Sequence, residues 1–341
     1  MSGSADTSAG DDLARLSAWL TANVPGFHGP VEMRPFDAGQ SNPTYELRTP
    51  ERSYVLRRKP PGRLLSSAHA VDREYRVLAA LHPAGLPVPR PYALCEDDAI
   101  IGSMFYVMEK AEGRMLRDPL LPGISPEDRG AIYRSMVSTL AGLHNVDLAA
   151  CGLEDFGRPG NYMARQVERW TKQYRASADR EIPDMERLIE WLPRTIPPQT
   201  RTTLIHGDYK VDNVVFHATE PRVAAVLDWE LATTGEPICD LTYLLMNWAN
   251  GPIADLADPA GEGFPSRAEL EAQYCQLTGR DGLPELDWFF SYNMFRLAAI
   301  IEGIVGRVRD GTARDPQAAA LAVRTPMLAA AAWRFAQRAG A

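Results

Sequence analysis

Apolar positions recur with different periods along the chain, and each period predicts a different kind of element. Leu13, Leu16, Trp19 and Leu20 fall at helical spacing and predict a short amphipathic helix. The small, polar stretch before it, 1–10, carries no such stripe and is expected to be disordered. Between 31 and 58 the texture changes to short runs broken by small and polar residues. This predicts three antiparallel strands, at 31–36, 44–48 and 54–58, with a loop at 37–43 and a turn at 49–53. Pro60, Pro61 and Gly62 end that block, and Val71, Tyr75, Leu78 and Leu81 restore helical spacing over 70–81. The proline-rich stretch 86–92 predicts an extended crossing, with strands following near 93–95 and 104–108.

After Glu109 helices dominate. Ser125 followed by Pro126, Glu127 and Asp128 is a helix start, because serine caps free amides and proline suits the first turn. That helix should run to about 145, with others at 161–178 and 184–192. Three short apolar runs then predict strands at 203–206, 214–217 and 223–227. Helices resume at 238, chiefly over 266–278, 285–308 and 315–338. The pattern is α+β: a small β-rich lobe over 11–108, a hinge at 109–113 and a larger, mostly helical lobe over 114–341.

Composition narrows the function classes. The 341 residues carry 36 basic and 44 acidic side chains, a formal charge of −8, which argues against a general nucleic-acid binder. No uncharged stretch is long enough to cross a bilayer; the best candidate, 297–305, is short and is interrupted by Glu302. The N-terminus lacks the basic and apolar regions of a secretion signal. Cys95, Cys151, Cys239 and Cys275 lie far apart, in no metal-ligand spacing, and read as reduced thiols in a cytoplasmic protein.

The chemistry concentrates in Leu204-Ile205-His206-Gly207-Asp208-Tyr209-Lys210-Val211-Asp212-Asn213-Val214-Val215, where two apolar strands flank a loop rich in charge. A further strand, 223–227, delivers Asp228 to its end. Three carboxylates and an amide at the ends of buried strands are costly unless neutralised, and a divalent cation with a polyanionic ligand would neutralise them. The Asp208–x4–Asn213 spacing equals that of the protein-kinase catalytic loop, and Asp228 falls where that template needs its metal-binding aspartate. Asp208 suits a base that orients a hydroxyl and accepts its proton. Asn213 and Asp228 supply hard oxygens suited to Mg²⁺. Lys210 is within reach of a transferred phosphoryl group. Upstream, Arg57 ends the third strand where the template puts its phosphate-binding lysine, and Glu74 on the next helix is its expected ion-pair partner. Lys59, on the same strand face, and Arg58, opposite, are rival clamps. The loop Gly39-Gln40-Ser41-Asn42 joins the first two strands, where a backbone cradle for phosphates would sit.

Taken together, Gly39-Gln40-Ser41-Asn42-Pro43-Thr44-Tyr45, Tyr54-Val55-Leu56-Arg57, Glu74-Tyr75, His206-Gly207-Asp208 with Asn213, and Leu227-Asp228-Trp229-Glu230 resemble the aminoglycoside phosphotransferase and choline-kinase-like family. Arg57-Arg58-Lys59-Pro60-Pro61-Gly62 and Ser67-Ala68-His69-Ala70 are similar to the branch found fused to acyl-CoA dehydrogenase domains in animals. The resemblance covers roughly residues 30–310. It implies a protein-kinase-like, two-lobed fold, ATP and Mg²⁺ as cofactors, and a small-molecule hydroxyl as acceptor. By position it makes Asp208 the base, Asn213 and Asp228 the metal ligands, and Arg57 the clamp anchored by Glu74. It further puts Ser41 and Asn42 over the phosphates, a hinge from Glu109 to Ala111 against adenine, and Asp240 in a bracing role. His206 reads as a loop-bracing residue, and Asp212 and Glu230 are assigned no role.

Acceptor contacts should come from the C-terminal helices, where Ser291-Tyr292-Asn293-Met294-Phe295-Arg296, Glu302 and Arg307 interrupt an apolar helix, although internal polar pairing is the commoner use of such residues. Trp170, Trp229, Trp248 and Trp288 read as packing. The branch motifs favour a hydroxyacyl-CoA, with a functional link to an acyl-CoA dehydrogenase, and an aminoglycoside is the alternative. Readings of other kinds stay open. A nucleotide-binding scaffold without turnover would bind Mg-ATP and phosphorylate nothing. A hydrolase on His206, Asp208 and Asp228 needs another ligand that the sequence does not offer. A protein kinase would need an Ala-Pro-Glu segment after Asp228, and none is present.

Overall fold

The computed structural model describes residues 4–36, 42–60, 70–158, 160–311 and 318–341. In chain order the elements are α1 (Ser4–Asn23), β1 (Glu32–Pro35), β2 (Thr44–Arg48), β3 (Ser53–Arg58), α2 (Val71–Leu81), β4 (Pro91–Cys95), β5 (Phe105–Glu109) and β6 (Arg114–Met115). There follow α3 (Pro126–His144), α4 (Tyr162–Ser177), α5 (Pro183–Trp191), β7 (Thr203–Ile205), β8 (Val214–Phe216), β9 (Val223–Val226) and β10 (Thr233–Gly235). The last four are α6 (Ile238–Asn250), α7 (Arg267–Thr278), α8 (Leu286–Arg309) and α9 (Ala318–Arg338). Internal contacts divide the chain into one unit of Met1–Leu116, Ala149–Leu153 and Asp212–Ala232, and a second of Arg117–Leu148, Glu154–Val211 and Thr233–Ala341. The sequence reading divides the chain only at 109–113; the structure returns 212–232 to the first unit because β8 pairs there with β6. Helix α1 starts at Ser4, inside the stretch expected to be disordered.

In the first unit the two-residue period of β3 sorts the side chains. Tyr54 and Leu56 join Leu16 and Leu20 of α1, Val24 just after it, and Phe105 and Val107 of β5 in one buried cluster. Successive strand residues point to opposite faces, so Val55 and Arg57 turn away from α1. Arg57 stands opposite Tyr106 in the antiparallel register, within a sheet ordered β1-β2-β3-β5-β4. Helix α2 buries Val71, Glu74, Val77, Leu78 and Leu81, a helical stripe in which Glu74 is the charged member. The second sheet, β6-β8-β9, pairs Val214 with Val226 and Val215 with Ala225. The Leu227 N–H donates to the Asn213 carbonyl at 2.8 Å, extending the ladder to residues adjoining Asp228. Gly113 admits β6 to this sheet: its φ is +150°, and a Cβ there would stand 2.1 Å from the Phe216 carbonyl oxygen.

The second unit is built from α3 to α9. Ser125 caps α3, its hydroxyl accepting the Asp128 N–H at 3.2 Å. Ser266 and Glu269 close a reciprocal capping box on α7. Phe290 of α8 meets Phe335 of α9 with ring centroids 5.2 Å apart. A short ladder pairs Ile205 of β7 with Thr233 of β10 and leads the chain into His206. Among the described residues no helix is long and apolar enough to cross a membrane.

Candidate active site

In the first unit one guanidinium is shared by three carboxyl groups. Arg57 Nη2 donates to Asp228 Oδ1 at 2.8 Å and lies 3.3 Å from Glu230 Oε2, and its Nε is 3.2 Å from Glu74 Oε2. The contact to Glu74 is a close ion pair without hydrogen-bond alignment. Glu74 is 1% exposed and is fixed from two other sides: the Asn42 amide donates to Oε1 at 2.8 Å, and the Tyr106 hydroxyl donates to Oε2 at 3.1 Å. Tyr106 and Arg57 reach the same carboxyl because they are cross-strand partners on the face turned from α1. Burial pushes the Glu74 carboxyl up to about 7; Arg57 opposes that rise, and the charges of Asp228 and Glu230 add to it. Burial also works against the charge on Arg57, but Glu74, Tyr106 and Asp228 outweigh it and hold the guanidinium firmly protonated.

Asp228 adopts a left-handed backbone, φ 65° and ψ 65°, before the single 3₁₀ turn Trp229–Leu231. Aspartate is among the few residues that tolerate this conformation, and the Trp229 indole N–H secures the turn by donating to the Val226 carbonyl at 3.0 Å. Asn213 ends the 3₁₀ turn Val211–Asn213 and is half-buried. Its amide oxygen and the Asp228 carboxylate are hard donors carried on the ends of one β8–β9 ladder. Among the described residues no group of three or more His, Cys, Asp or Glu could hold a metal. The pair fits Mg²⁺, which keeps several waters and takes one or two protein oxygens beside those of phosphate.

Asp208 and Lys210 belong to the second unit, and the chain passes to the first between Val211 and Asp212. The loop after β7 is built around Asp240, in the first turn of α6, where the helix N-terminus favours a carboxylate. Asp240 accepts the His206 N–H at 2.6 Å and the Gly207 N–H at 2.9 Å. Burial would raise the Asp240 carboxyl, but His144 and His206 and the loop hydrogen bonds outweigh it and keep it below its ordinary value. The Asp208 N–H donates to His206 Nδ1 at 3.1 Å, so His206 braces the loop. Lys210 Nζ lies 3.4 Å from Asp208 Oδ2.

The remaining residues singled out in the sequence fall in varied places. Asn42 is 1% exposed and its amide is directed at Glu74. Ser41 lies outside the described residues. Arg58 turns away from the Arg57 cluster, donating to Ser103 Oγ at 2.9 Å and to the Ile101 carbonyl at 2.6 Å, and the strand ends before Lys59. Glu109 closes β5, its N–H donating to the Arg90 carbonyl and its carboxylate accepting the Arg90 N–H, and Ala111 follows it in no regular element. Tyr106 and Glu230 join the Arg57 cluster without having been expected there. Tyr106 could have been found from the register, but an exposed glutamate after a turn gives no periodic signal. Trp170 and Trp229 are buried, as packing residues should be.

Residues 32–276 match the model of the Phosphotransferase enzyme family. Over 318 residues, 92% of its length, the chain is 45% identical to acyl-CoA dehydrogenase family member 10 of Mus musculus, and it spans only 30% of that protein. A solved protein from Ralstonia eutropha JMP134, assigned as an aminoglycoside phosphotransferase, is 45% identical with a TM-score of 0.87, over 95% of this chain and 98% of that one. The spectinomycin phosphotransferase APH(9)-Ia, solved with ADP and spectinomycin, is 11% identical with a TM-score of 0.62, over 95% of this chain and 98% of its own, a likeness of fold alone.

Proposed function

The chain belongs to the phosphotransferase enzyme family, and from that premise we propose that this small-molecule kinase moves the γ-phosphoryl group of ATP, in the presence of Mg²⁺, to a hydroxyl of a hydroxyacyl-CoA. The observation that carries the nucleotide and metal part is the sharing of one guanidinium, Arg57, among Glu74, Asp228 and Glu230. So many carboxyl groups about one cation leave negative charge for a second cation to offset, and a metal–nucleotide complex supplies it. Mg²⁺, when bound, would supply positive charge to offset that of the phosphate oxygens.

Each residue then has a separable task. Asn213 and Asp228 hold the cation. With that cation bound, Arg57 would give up part of its hold on Asp228 and offer its guanidinium to phosphate, while Glu74 would keep its Nε side in place. Asn42 acts through Glu74, and a role at the phosphates is assigned to Ser41, which lies outside the described residues. The main chain from Glu109 to Ala111 reads the adenine ring. Asp208 receives the acceptor hydroxyl and takes its proton, and Lys210, alongside it, meets the transferred group. Phosphoryl transfer needs little else, because positioning and charge compensation make up most of the catalysis.

The acceptor class is argued from kinship. The chain is 45% identical to part of a protein named as an acyl-CoA dehydrogenase family member, which favours an acyl-CoA bearing a hydroxyl, handled in the cytoplasm and linked to a dehydrogenase. The equal identity to a protein assigned as an aminoglycoside phosphotransferase favours the second reading, a polycationic drug. An ATP-consumption screen over hydroxyacyl-CoAs, aminoglycosides, choline-like alcohols and sugars separates them, with the phosphorylated product identified by mass. We expect a phosphorylated hydroxyacyl-CoA. Product from aminoglycosides alone overturns the acceptor class, and no product from any acceptor overturns the kinase reading.

A further inference from the structure

The peptide that precedes Asp208 is gripped at both of its polar ends. Its Asp208 N–H donates to His206 Nδ1 at 3.1 Å and its Gly207 carbonyl oxygen accepts a hydrogen bond from Arg296 Nη2 on α8, while the peptide before it is held through the Gly207 N–H by Asp240 Oδ1 at 2.9 Å. Gly207 has φ +84°, a region that glycine enters freely and that most other residues avoid, so the backbone here leaves the peptide orientation to be set by its hydrogen bonds. Arg296 is only 7% exposed. Its guanidinium lies 5.5 Å from the ring centroid of Trp170 and 5.2 Å from that of Tyr243. Its Nε is buried with no hydrogen-bond partner among the described residues. Burying a cation there is expensive, and the two aromatic faces recover only part of that expense. Burial works against the charge, but Tyr292, Tyr243, Tyr162 and the Asp208 carboxylate outweigh it and keep Arg296 protonated.

We infer that Arg296 is a positioning residue for the phosphoryl-transfer reaction: by fixing the Gly207 carbonyl opposite the hold of Asp240, it sets the direction in which the Asp208 carboxylate meets the acceptor hydroxyl. Asp240 fixes the donor side of the loop and Arg296 the acceptor side. The guanidinium suits this task better than an ammonium, since its planar fork can stack between Trp170 and Tyr243 while one N–H reaches the carbonyl. An apolar residue of similar length would fill the space and leave the carbonyl unheld.

The inference rests on the kinase reading above, and its test separates the two. Arg296→Met and Arg296→Lys are compared with the wild-type full chain in acceptor kinetics, Mg-ATP titration and hydrogen exchange at the Gly207 and Asp208 amides. Both amides have side-chain acceptors, Asp240 on α6 and His206 in the loop, and should exchange slowly in the wild type. In Arg296→Met, kcat is expected to fall about 10- to 100-fold, the loss that a misplacement of about an ångström brings. Mg-ATP affinity and acceptor KM should stay within about twofold, because neither ligand is lost. Arg296→Lys should lose less, and both amides should exchange faster in both variants. Wild-type kcat in both variants, or a loss carried by acceptor KM, overturns the inference. If Arg296→Met does not fold, exchange in Arg296→Lys decides, and unchanged rates overturn it. Failure of the wild type itself to phosphorylate any acceptor strikes the kinase reading and leaves the exchange result standing as a test of the loop.

Discussion

Replacing Arg57 by methionine should do most damage through Glu74 and comparatively little through Asp228. Glu74 is 1% exposed and Arg57 12%, so removing the guanidinium leaves a carboxylate inside the protein without its cation. Breaking a buried pair from one side costs about 3–5 kcal/mol. Asp228 and Glu230 are 35% and 25% exposed, and solvent screens most of what they lose. We therefore expect Arg57→Met to destabilise the protein by about 3 kcal/mol at pH 8, read from urea unfolding without nucleotide. The deficit should shrink by about 1–2 kcal/mol at pH 6, where Glu74 sheds its charge by taking a proton. Glu74→Gln in the same chain should restore most of it at pH 8, a coupling of about 2–3 kcal/mol in a double-mutant cycle. Additive effects of the two substitutions, or a deficit equal at pH 6 and pH 8, would refute the reasoning.

Other consequences are open to direct measurement. Glu74 has its folded value raised from 4.5 to about 7, so its proton favours the folded state fully below 4.5 and that contribution is lost as pH rises through about 7. Glu74→Gln should accordingly flatten unfolding free energy against pH across this window, by at most about 3 kcal/mol. Asp208→Asn should lower kcat by about 10²- to 10⁴-fold while calorimetry finds Mg-ATP affinity unchanged. Asp228→Asn should weaken nucleotide binding about tenfold or more with Mg²⁺ present and much less in EDTA. Gly113→Ala forces a Cβ against the Phe216 carbonyl at a φ of +150° and should lower stability by about 2–4 kcal/mol, seen as an earlier urea midpoint.

The strands and helices that pack were legible because burial imposes a period. Residues 44–48 and 54–58 alternate or run apolar, and β2 and β3 lie within a residue of those bounds. The elements that escaped are those with no stripe to read. β6 has two residues and β10 is Thr-Thr-Gly, and both exist only because a partner strand supplies their hydrogen bonds. The start of α1 is small and polar, and helix propensity there carries no apolar mark. Within the candidate site, residues that chemistry demands by type and spacing, such as Asp208, Asn213 and Asp228, could be named from the chain alone. Residues recruited by geometry are only partly legible. Strand alternation separates Arg58 from Arg57 within the basic run, but Lys59 stays a rival until the strand is seen to end before it, with Arg57 turned toward Glu74 and Arg58 toward Ser103. Arg296 sits in a helix whose two sides are both buried, so nothing in its spacing reveals that it meets Gly207.

The account stands on Asn213 and Asp228 sharing one cation with a nucleotide whose phosphates meet Arg57. A crystal structure with Mg²⁺ and a non-hydrolysable ATP analogue tests this most directly. The account predicts Mg²⁺ bound by the Asn213 amide oxygen and the Asp228 carboxylate, phosphate oxygens on the Arg57 guanidinium, and the Asp208 carboxylate open to an acceptor beside the γ-phosphate. A nucleotide bound away from these residues, or a cation that neither Asn213 nor Asp228 touches, would contradict it.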